Sequence, residues 1–389
     1  MTRRHRILYV VGQLGAGGLE RQLWYLLSAM DRERLRPGVA VWNHDARAPY
    51  VERIEALGVP LYPLTRRGGY AARVRELIRI ARSTRPEVVH AYSFRTNFAA
   101  WAAARASGAV PVGSLRNDYL AERRALGWAG GALCSLFPQT LIVNSASAQE
   151  SVRTARGFTH PRRAIVVPNG LDLALFTASP LPAGRRFEIA GVGRLYPQKR
   201  WHDQLEALAL LERQSGREWR FRLCGEGPLD AQLRGLAQQL GLAARVEFLG
   251  YQPDVTPVLR GCHALALSSG YEGTPNVVLE ALACGRPVVA TAAGDVPRVV
   301  QDGRTGFVVP VGDRHALADR LQRLAENAGL AEEMGRAARQ WAEAELGLDR
   351  LVARTLEACR QAGWRGCPEE EASRALGLGT GVDSRGGRM

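Results

Sequence analysis

The feature that most constrains this chain is an alternation, played twice, of short apolar runs with helical stretches. In the first half the runs lie at 6–11, 38–42, 59–64, 87–92, 110–115, 140–144 and 164–167, with helical periodicity between them, as at 18–30, 70–85 and 96–107. Parallel strands need long crossover connections, and helices supply them, so the pattern predicts a parallel sheet covered on both faces. A stretch rich in Pro, Ala and Gly at 173–186 reads as a linker. The alternation then resumes, with strands expected at 187–192, 221–224, 246–249, 264–268, 288–291 and 306–309. Asp313 is placed to cap a helix running to Leu324, and two more helical stretches reach about residue 363. A length of 389 residues, 46% apolar and 23% charged, suits two soluble domains. The expected division is 1–178, 186–345, a helix at 346–365 able to pack back on the first domain, and a disordered tail at 366–389. The expected fold class is α/β: two Rossmann-like doubly wound domains facing a cleft.

One lysine stands among 51 arginines, and it is Lys199. It closes the segment Gly193-Arg194-Leu195-Tyr196-Pro197-Gln198-Lys199, directly after the expected strand at 187–192. Open α/β sheets bind ligands beyond the carboxyl ends of their strands. Arg194 offers a planar fork and Lys199 a compact charge, a pairing suited to a diphosphate. An arginine-biased composition with one residual lysine is the plain alternative.

The second segment of interest is Ser268-Ser269-Gly270-Tyr271-Glu272-Gly273-Thr274-Pro275-Asn276-Val277-Val278-Leu279-Glu280, ending in Gly285 after Cys284. Thr274 is expected to cap a helix with Pro275 at its first position, and Gly285 to stop it. The free N–H groups of Asn276 and Val277 would then face the strand end. A helix N-terminus carries open donors and partial positive charge, which makes an anion site. Glu272 and Glu280 flank that site. They fit beside a phosphate only if each accepts hydrogen bonds from hydroxyls further along the ligand. A nucleotide sugar has that layout, with sugar hydroxyls at one end and ribose hydroxyls at the other.

These two glutamates, with seven residues between them in EGTPNVVLEALACGRPVVAT, resemble the donor-site signature of family-4 glycosyltransferases with the GT-B fold. The segment from Gly193 to Lys199 resembles that family's phosphate-binding segment. Val166-Val167-Pro168-Asn169-Gly170-Leu171-Asp172 resembles its interdomain segment. Gly225-Glu226-Gly227-Pro228 and Phe248-Leu249-Gly250-Tyr251 resemble its loops near the base. Gly15-Ala16-Gly17-Gly18 resembles its first loop. The matches run in order from about residue 6 to about residue 365. The resemblance implies that Glu272 touches the donor sugar, Glu280 the ribose, and Arg194 and Lys199 the diphosphate. It implies donor contacts at Gly15, Gly17, Gly18, Gly193, Glu226, Tyr251, Gly273, Thr274, Asn276 and Val277. It also implies transfer with retention of configuration.

Read from its residues alone, the Gly15–Gly18 loop lacks the spacing of a dinucleotide fingerprint, because Leu19-Glu20 follow Gly17-Gly18. A loop allowing close backbone approach, or a plain tight turn, fits better. His90 ends the strand at 87–92. The family often carries two histidines one residue apart there; this chain has His90 and then Tyr92, a departure at the position assigned to acceptor activation. A buried, satisfied His90 is an equal reading. Arg95, Asn97 and Arg116 lie nearby as further candidates for acceptor contact.

Charge is uneven. Residues 1–178 hold 25 arginines against 12 acidic residues, while the remainder is nearly balanced. This points to an anionic partner, and with the enzyme reading an anionic membrane surface or a lipid-linked acceptor is expected rather than nucleic acid. The uncharged segment 126–137 follows Glu122-Arg123-Arg124 and reads as a packed helix or as one dipping into a membrane interface. Six cysteines without C-x-x-C pairing, and a start that runs directly into a strand, predict reduced thiols and a cytoplasmic setting.

No D-x-D, Cys/His metal cluster or G-x-S-x-G occurs in the sequence. No cofactor is therefore expected. The expected activity is a retaining, metal-independent glycosyltransferase moving a sugar from a nucleotide-diphosphate sugar (a UDP-sugar by default) to a glycan or lipid-linked acceptor in cell-surface polysaccharide assembly. A nucleotide-sugar epimerase of the same architecture and a non-catalytic nucleotide-sugar binding subunit are the alternatives. A phosphorylase would need Lys199 for pyridoxal phosphate, where it already sits in a phosphate segment.

Overall fold

A computed structural model describes residues 4–65, 68–116, 119–155 and 160–366. The chain divides into two compact units. One comprises Met1–Gly170 with Leu348–Met389, and the other Leu171–Gly347. The expected tail at 366–389 falls, from residue 367 on, outside the described residues.

The first unit is built on seven parallel strands: β1 (His5–Val11), β2 (Leu35–Val41), β3 (Leu61–Pro63), β4 (Val88–Ala91), β5 (Val110–Leu115), β6 (Thr140–Val143) and β7 (Arg163–Val166). Their spatial order is β3-β2-β1-β4-β5-β6-β7. The strand interiors are mostly apolar because helices cover both faces; Val10, Val11, Val39, Val88, Val89 and Val112 are fully enclosed. β2 starts earlier than its sequence suggests and runs through Pro37. Pro37 pairs with Ile7 of β1, whereas β3 begins pairing only at Val39, so the missing N–H falls where no neighbour needs it. The helix Leu348–Gln361 belongs to this unit, and its Leu351 lies so close to Gly170 that a Cβ there would sit 2.9 Å away.

The second unit repeats the plan with β8 (Phe187–Val192), β9 (Trp219–Cys224), β10 (Val246–Gly250), β11 (Ala264–Leu267), β12 (Val288–Thr291) and β13 (Gly306–Val309). The order is β10-β9-β8-β11-β12-β13, all parallel. Counted within the unit this is 3-2-1-4-5-6, the doubly wound Rossmann order. The order in which strands are added reverses between β8 and β11, which leaves a crevice beyond their carboxyl ends. Asp313 caps the helix Arg314–Glu326 through its side chain, accepting from Ala316 N.

Candidate functional site

The two segments singled out in the sequence leave the two strands that flank the second unit's switch point. Gly193 to Lys199 follows β8, and Ser268 to Gly273 follows β11. Adjacent parallel strands bring their exits together, and Lys199 Nζ donates to Glu272 Oε1 at 2.5 Å. Both side chains are about one-tenth exposed. Ser269 Oγ donates to the same carboxylate oxygen at 2.7 Å.

The loop carrying Lys199 is braced on every side. Ser268 Oγ lies 3.0 Å from the carbonyls of both Lys199 and Arg200. Arg200 sits in the left-handed region at φ +50°, and its Nε donates to Asp203 Oδ2 at 2.5 Å. Asp203 is almost fully buried and also takes Arg314 Nε at 2.9 Å. Trp201 Nε1 donates to the Arg194 carbonyl at 3.0 Å. Arg194 itself is exposed, with its guanidinium 5.1 Å from the Tyr196 ring centre. Gly193 and Gly225 cross closely: a Cβ on Gly225 would lie 1.9 Å from the Gly193 carbonyl. No side chain fits there, so the β8 and β9 exits can share one rim. Glu226 and Tyr251 join the same rim, with Tyr251 N donating to Glu226 Oε1 at 3.4 Å and the Tyr251 ring 59% exposed.

The helix after β11 runs over Asn276–Ala283. It begins one residue later than expected: Pro275 is extended (φ −71°, ψ 113°) and serves as the cap, so Thr274 is not the N-cap. Glu280 is 3% exposed, in the middle of this helix. Gly285 ends the turn at φ +71°, in the conformation that favours glycine. Glu272 and Gly273 are held from behind, where a Cβ on Gly294 would meet the Glu272 carbonyl at 2.1 Å. Asp295 N also donates to Gly273 O at 3.0 Å.

In the first unit, Gly15 and Gly17 precede the helix Gly18–Ala29, whose N-cap is Gly17 without a side-chain cap bond. The carboxyl of Glu20 folds over that cap, leaving 2.2 Å to a Cβ on Gly17, and burial pushes its pKa up. Gln22 clamps Gly170 from both sides, donating to its carbonyl at 2.8 Å and accepting from its N–H at 2.9 Å.

His90 is fully buried on β4, with Nε2 3.0 Å from Ser114 Oγ and Nδ1 without a partner. Burial, reinforced by Arg116, lowers its pKa to about 3, so the ring is neutral at physiological pH. Tyr92 is equally buried; its ring lies 4.4 Å under the Arg116 guanidinium, and its hydroxyl has no partner. Arg116 NH1 reaches Asn169 Oδ1 at 3.5 Å. Asn97 is enclosed, with its amide spent on backbone: Oδ1 accepts from Ser114 N at 3.0 Å, and Nδ2 donates to Ser114 O at 3.4 Å and Cys134 O at 3.2 Å. That leaves Asn97 a structural post rather than a contact for an acceptor. Ser268, Ser269, Asp203, Gly294 and Gln22 carry much of this geometry and were not singled out in the sequence. Only the Ser-Ser pair, lying inside the motif at a strand end, offered a signal.

Two Rossmann units, the second with a cation–carboxylate pair at its switch point, define the GT-B class of fold. The family description "Glycosyltransferase Family 4" matches residues 16–175, and "Glycosyl transferases group 1" matches residues 177–341. The chain belongs to the family-4 glycosyltransferases of GT-B fold. EpsF of Bacillus subtilis strain 168, whose name places it among glycosyltransferases, is 28% identical over 90% of this chain and 94% of its own length. WcaL of Salmonella typhimurium, named for colanic acid biosynthesis, is 35% identical over 41% of this chain. This chain covers about two-fifths of WcaL, 42% of its length. The crystal structure of Anabaena Alr3699/HepE in complex with UDP has a TM-score of 0.79 at 22% identity, covering 92% of this chain and 100% of that one. At that identity the likeness is one of fold.

Proposed function

We propose that the second unit binds a nucleotide-diphosphate sugar and that the chain transfers the sugar, with retention and without a metal ion, to a glycan or lipid-linked acceptor in cell-surface polysaccharide assembly. The observation that carries this reading is the Lys199–Glu272 pair at the β8/β11 switch point beside the start of the Asn276–Ala283 helix. A diphosphate would draw Lys199 from Glu272, take Arg194, and lie against the N-terminus of the helix Asn276–Ala283, at Asn276 and Val277. Glu272, released, would accept from the donor sugar's hydroxyls. Glu280 would accept from the ribose, and Glu226 and Tyr251 would border the base. UDP is the default nucleotide, supported by the UDP-bound fold neighbour.

In the proposed step the acceptor hydroxyl attacks the anomeric carbon from the face that the diphosphate leaves. The carbon–oxygen bond to phosphate breaks through an oxocarbenium-like state. The acceptor's proton passes to the departing phosphate oxygen. Arg194, Lys199 and the helix N-terminus meet the leaving charge, each donor contributing on the order of 3 kcal/mol in a dry site. Arg116 is proposed to border the acceptor, with the enclosed Tyr92 and His90 acting as positioning residues beneath it. His90 is there as a neutral ring.

The proposal places the chain in the cytoplasm, against the inner membrane face. Supporting this, the helix Gly127–Leu136 leaves Trp128 88% exposed and Leu133 39% exposed, following Arg123 and Arg124. Among the described residues no helix is long and apolar enough to cross a membrane. The test of function is a panel of nucleotide sugars, read by thermal shift and by release of free sugar. One member should raise the melting temperature and be hydrolysed slowly; a flat response across the panel would remove the donor reading.

A further inference from the structure

A second charged site lies at the opposite end of the first unit's sheet, where strands begin. Arg6 of β1 and Arg36 of β2 are register partners on neighbouring parallel strands, and both are exposed. Like charges side by side on adjacent strands repel, so such a pair calls for a counter-charge. Arg85 joins them from the end of the helix Gly69–Thr84. It adopts a left-handed φ of +47°, with its N–H on Ala81 O at 2.9 Å. Glycine is the unstrained residue at such a helix end, so an arginine there keeps its guanidinium at a cost to the backbone. Arg4, Arg6, Arg36, Arg85 and Glu87 line a cavity of about 390 Å³.

Glu87 is one carboxylate against four guanidiniums, so the set keeps a positive excess. Its Oε2 accepts from Trp364 Nε1 at 2.9 Å and lies 2.9 Å from His5 Nδ1. Among the described residues no carboxylate pairs with Arg4, Arg36 or Arg85. Arg6 and Arg36 also border a second cavity of about 470 Å³, whose other walls include Leu35, Leu57, Pro60 and Tyr62. Arg32 lines it as well, with a buried NH1 that has no hydrogen-bond partner. An arginine-lined chamber thus adjoins an apolar one through shared residues.

We propose that these joined cavities bind an organic phosphate, its phosphoryl group on Arg4, Arg6, Arg36 and Arg85 and its apolar body against Leu57, Pro60 and Tyr62. Guanidinium forks match phosphate oxygens in pairs, and several around one anion cancel their mutual repulsion. The residues proposed for donor or acceptor contact follow the carboxyl ends of their strands, so this site is separate from them.

The test uses the full chain with octyl phosphate below its micellar concentration, inorganic phosphate and octyl glucoside, read by calorimetry and thermal shift. Octyl phosphate should bind at least about tenfold more tightly than either other probe, since each supplies only half of the recognition. Arg36→Thr and Arg85→Gly should each weaken it about tenfold or more, and Lys199→Ala should leave it unchanged. Without ligand, Arg85→Gly should melt at or above the wild-type temperature, because glycine relieves the left-handed strain. Failure of octyl phosphate to bind, binding equal to that of octyl glucoside, or binding lost in Lys199→Ala but kept in the two arginine variants would overturn the proposal.

Discussion

Lys199 Nζ lies 2.5 Å from Glu272 Oε1, so the chain's one lysine is closed onto an acid 73 residues away. Two adjacent strand exits, β8 and β11, account for the meeting, and Ser268 and Ser269 fix it from the β11 side. The pair solves an electrostatic problem. A carboxylate and an ammonium, each about one-tenth exposed, would be costly apart. Each is a counter-charge for the other until an anionic ligand replaces the acid beside the lysine and hydroxyls replace the lysine beside the acid.

The two glutamates should therefore separate. Glu280→Gln should weaken free UDP by about 1–2 kcal/mol for one lost charge-assisted bond. Glu272→Gln should lower turnover and alter donor preference, yet leave free UDP nearly as tight, or tighter because Lys199 loses its competitor. Calorimetry with UDP beside transfer rates decides this; equal weakening in both variants, or in neither, contradicts the assignment of the two acids to opposite ends of the donor.

The alternation of strands and helices was legible throughout because buried parallel strands leave uninterrupted apolar runs. β8, β12 and β13 fall on the residues read for them. Pro37 hid the start of β2, since a proline argues against a strand unless one of its neighbours is absent at that level. The Thr274 cap was misplaced by one residue because Pro275 takes an extended backbone that sequence pattern does not reveal. At the site, Lys199 and Glu272 were found as separate motifs. Their contact depends on strand order, which periodicity does not encode. Asp203 and Gly294 were invisible for the same reason, as both act across the sheet. Asn97 misled because a polar residue at a helix start looks the same whether it faces solvent or backbone.

His90 sets an acid limit on stability. Its folded pKa of about 3 lies below the value near 6.5 of an unfolded chain, so the unfolded state takes up its proton first. The contribution is fully present above pH 6.5 and is lost as pH falls toward 3, a total on the order of 3–5 kcal/mol. Urea midpoints at pH 7 and pH 5 should fall further in wild type than in His90→Gln. Parallel loss in the two proteins would show that other groups carry the acid sensitivity.

Membrane association should depend on both charge and the exposed tryptophan. The full chain should bind anionic vesicles at low salt and release as salt rises, because surface charge is screened over about 8 Å at physiological ionic strength. Trp128→Ser should weaken binding, and Arg123→Gln with Arg124→Gln should reduce its salt dependence. Trp fluorescence in neutral against anionic vesicles gives the reading. Equal binding to both vesicle types, or none to either, would refute the charge-driven surface.

The most direct measurement compares wild type with Lys199→Ala in UDP affinity and in transfer from whichever nucleotide sugar the panel selects. The variant should fold with Glu272 still held by Ser269, bind UDP at least about tenfold more weakly and turn over about a hundredfold more slowly. Wild-type affinity and rate in Lys199→Ala, with the melting temperature unchanged, would contradict a diphosphate site at the β8/β11 switch point.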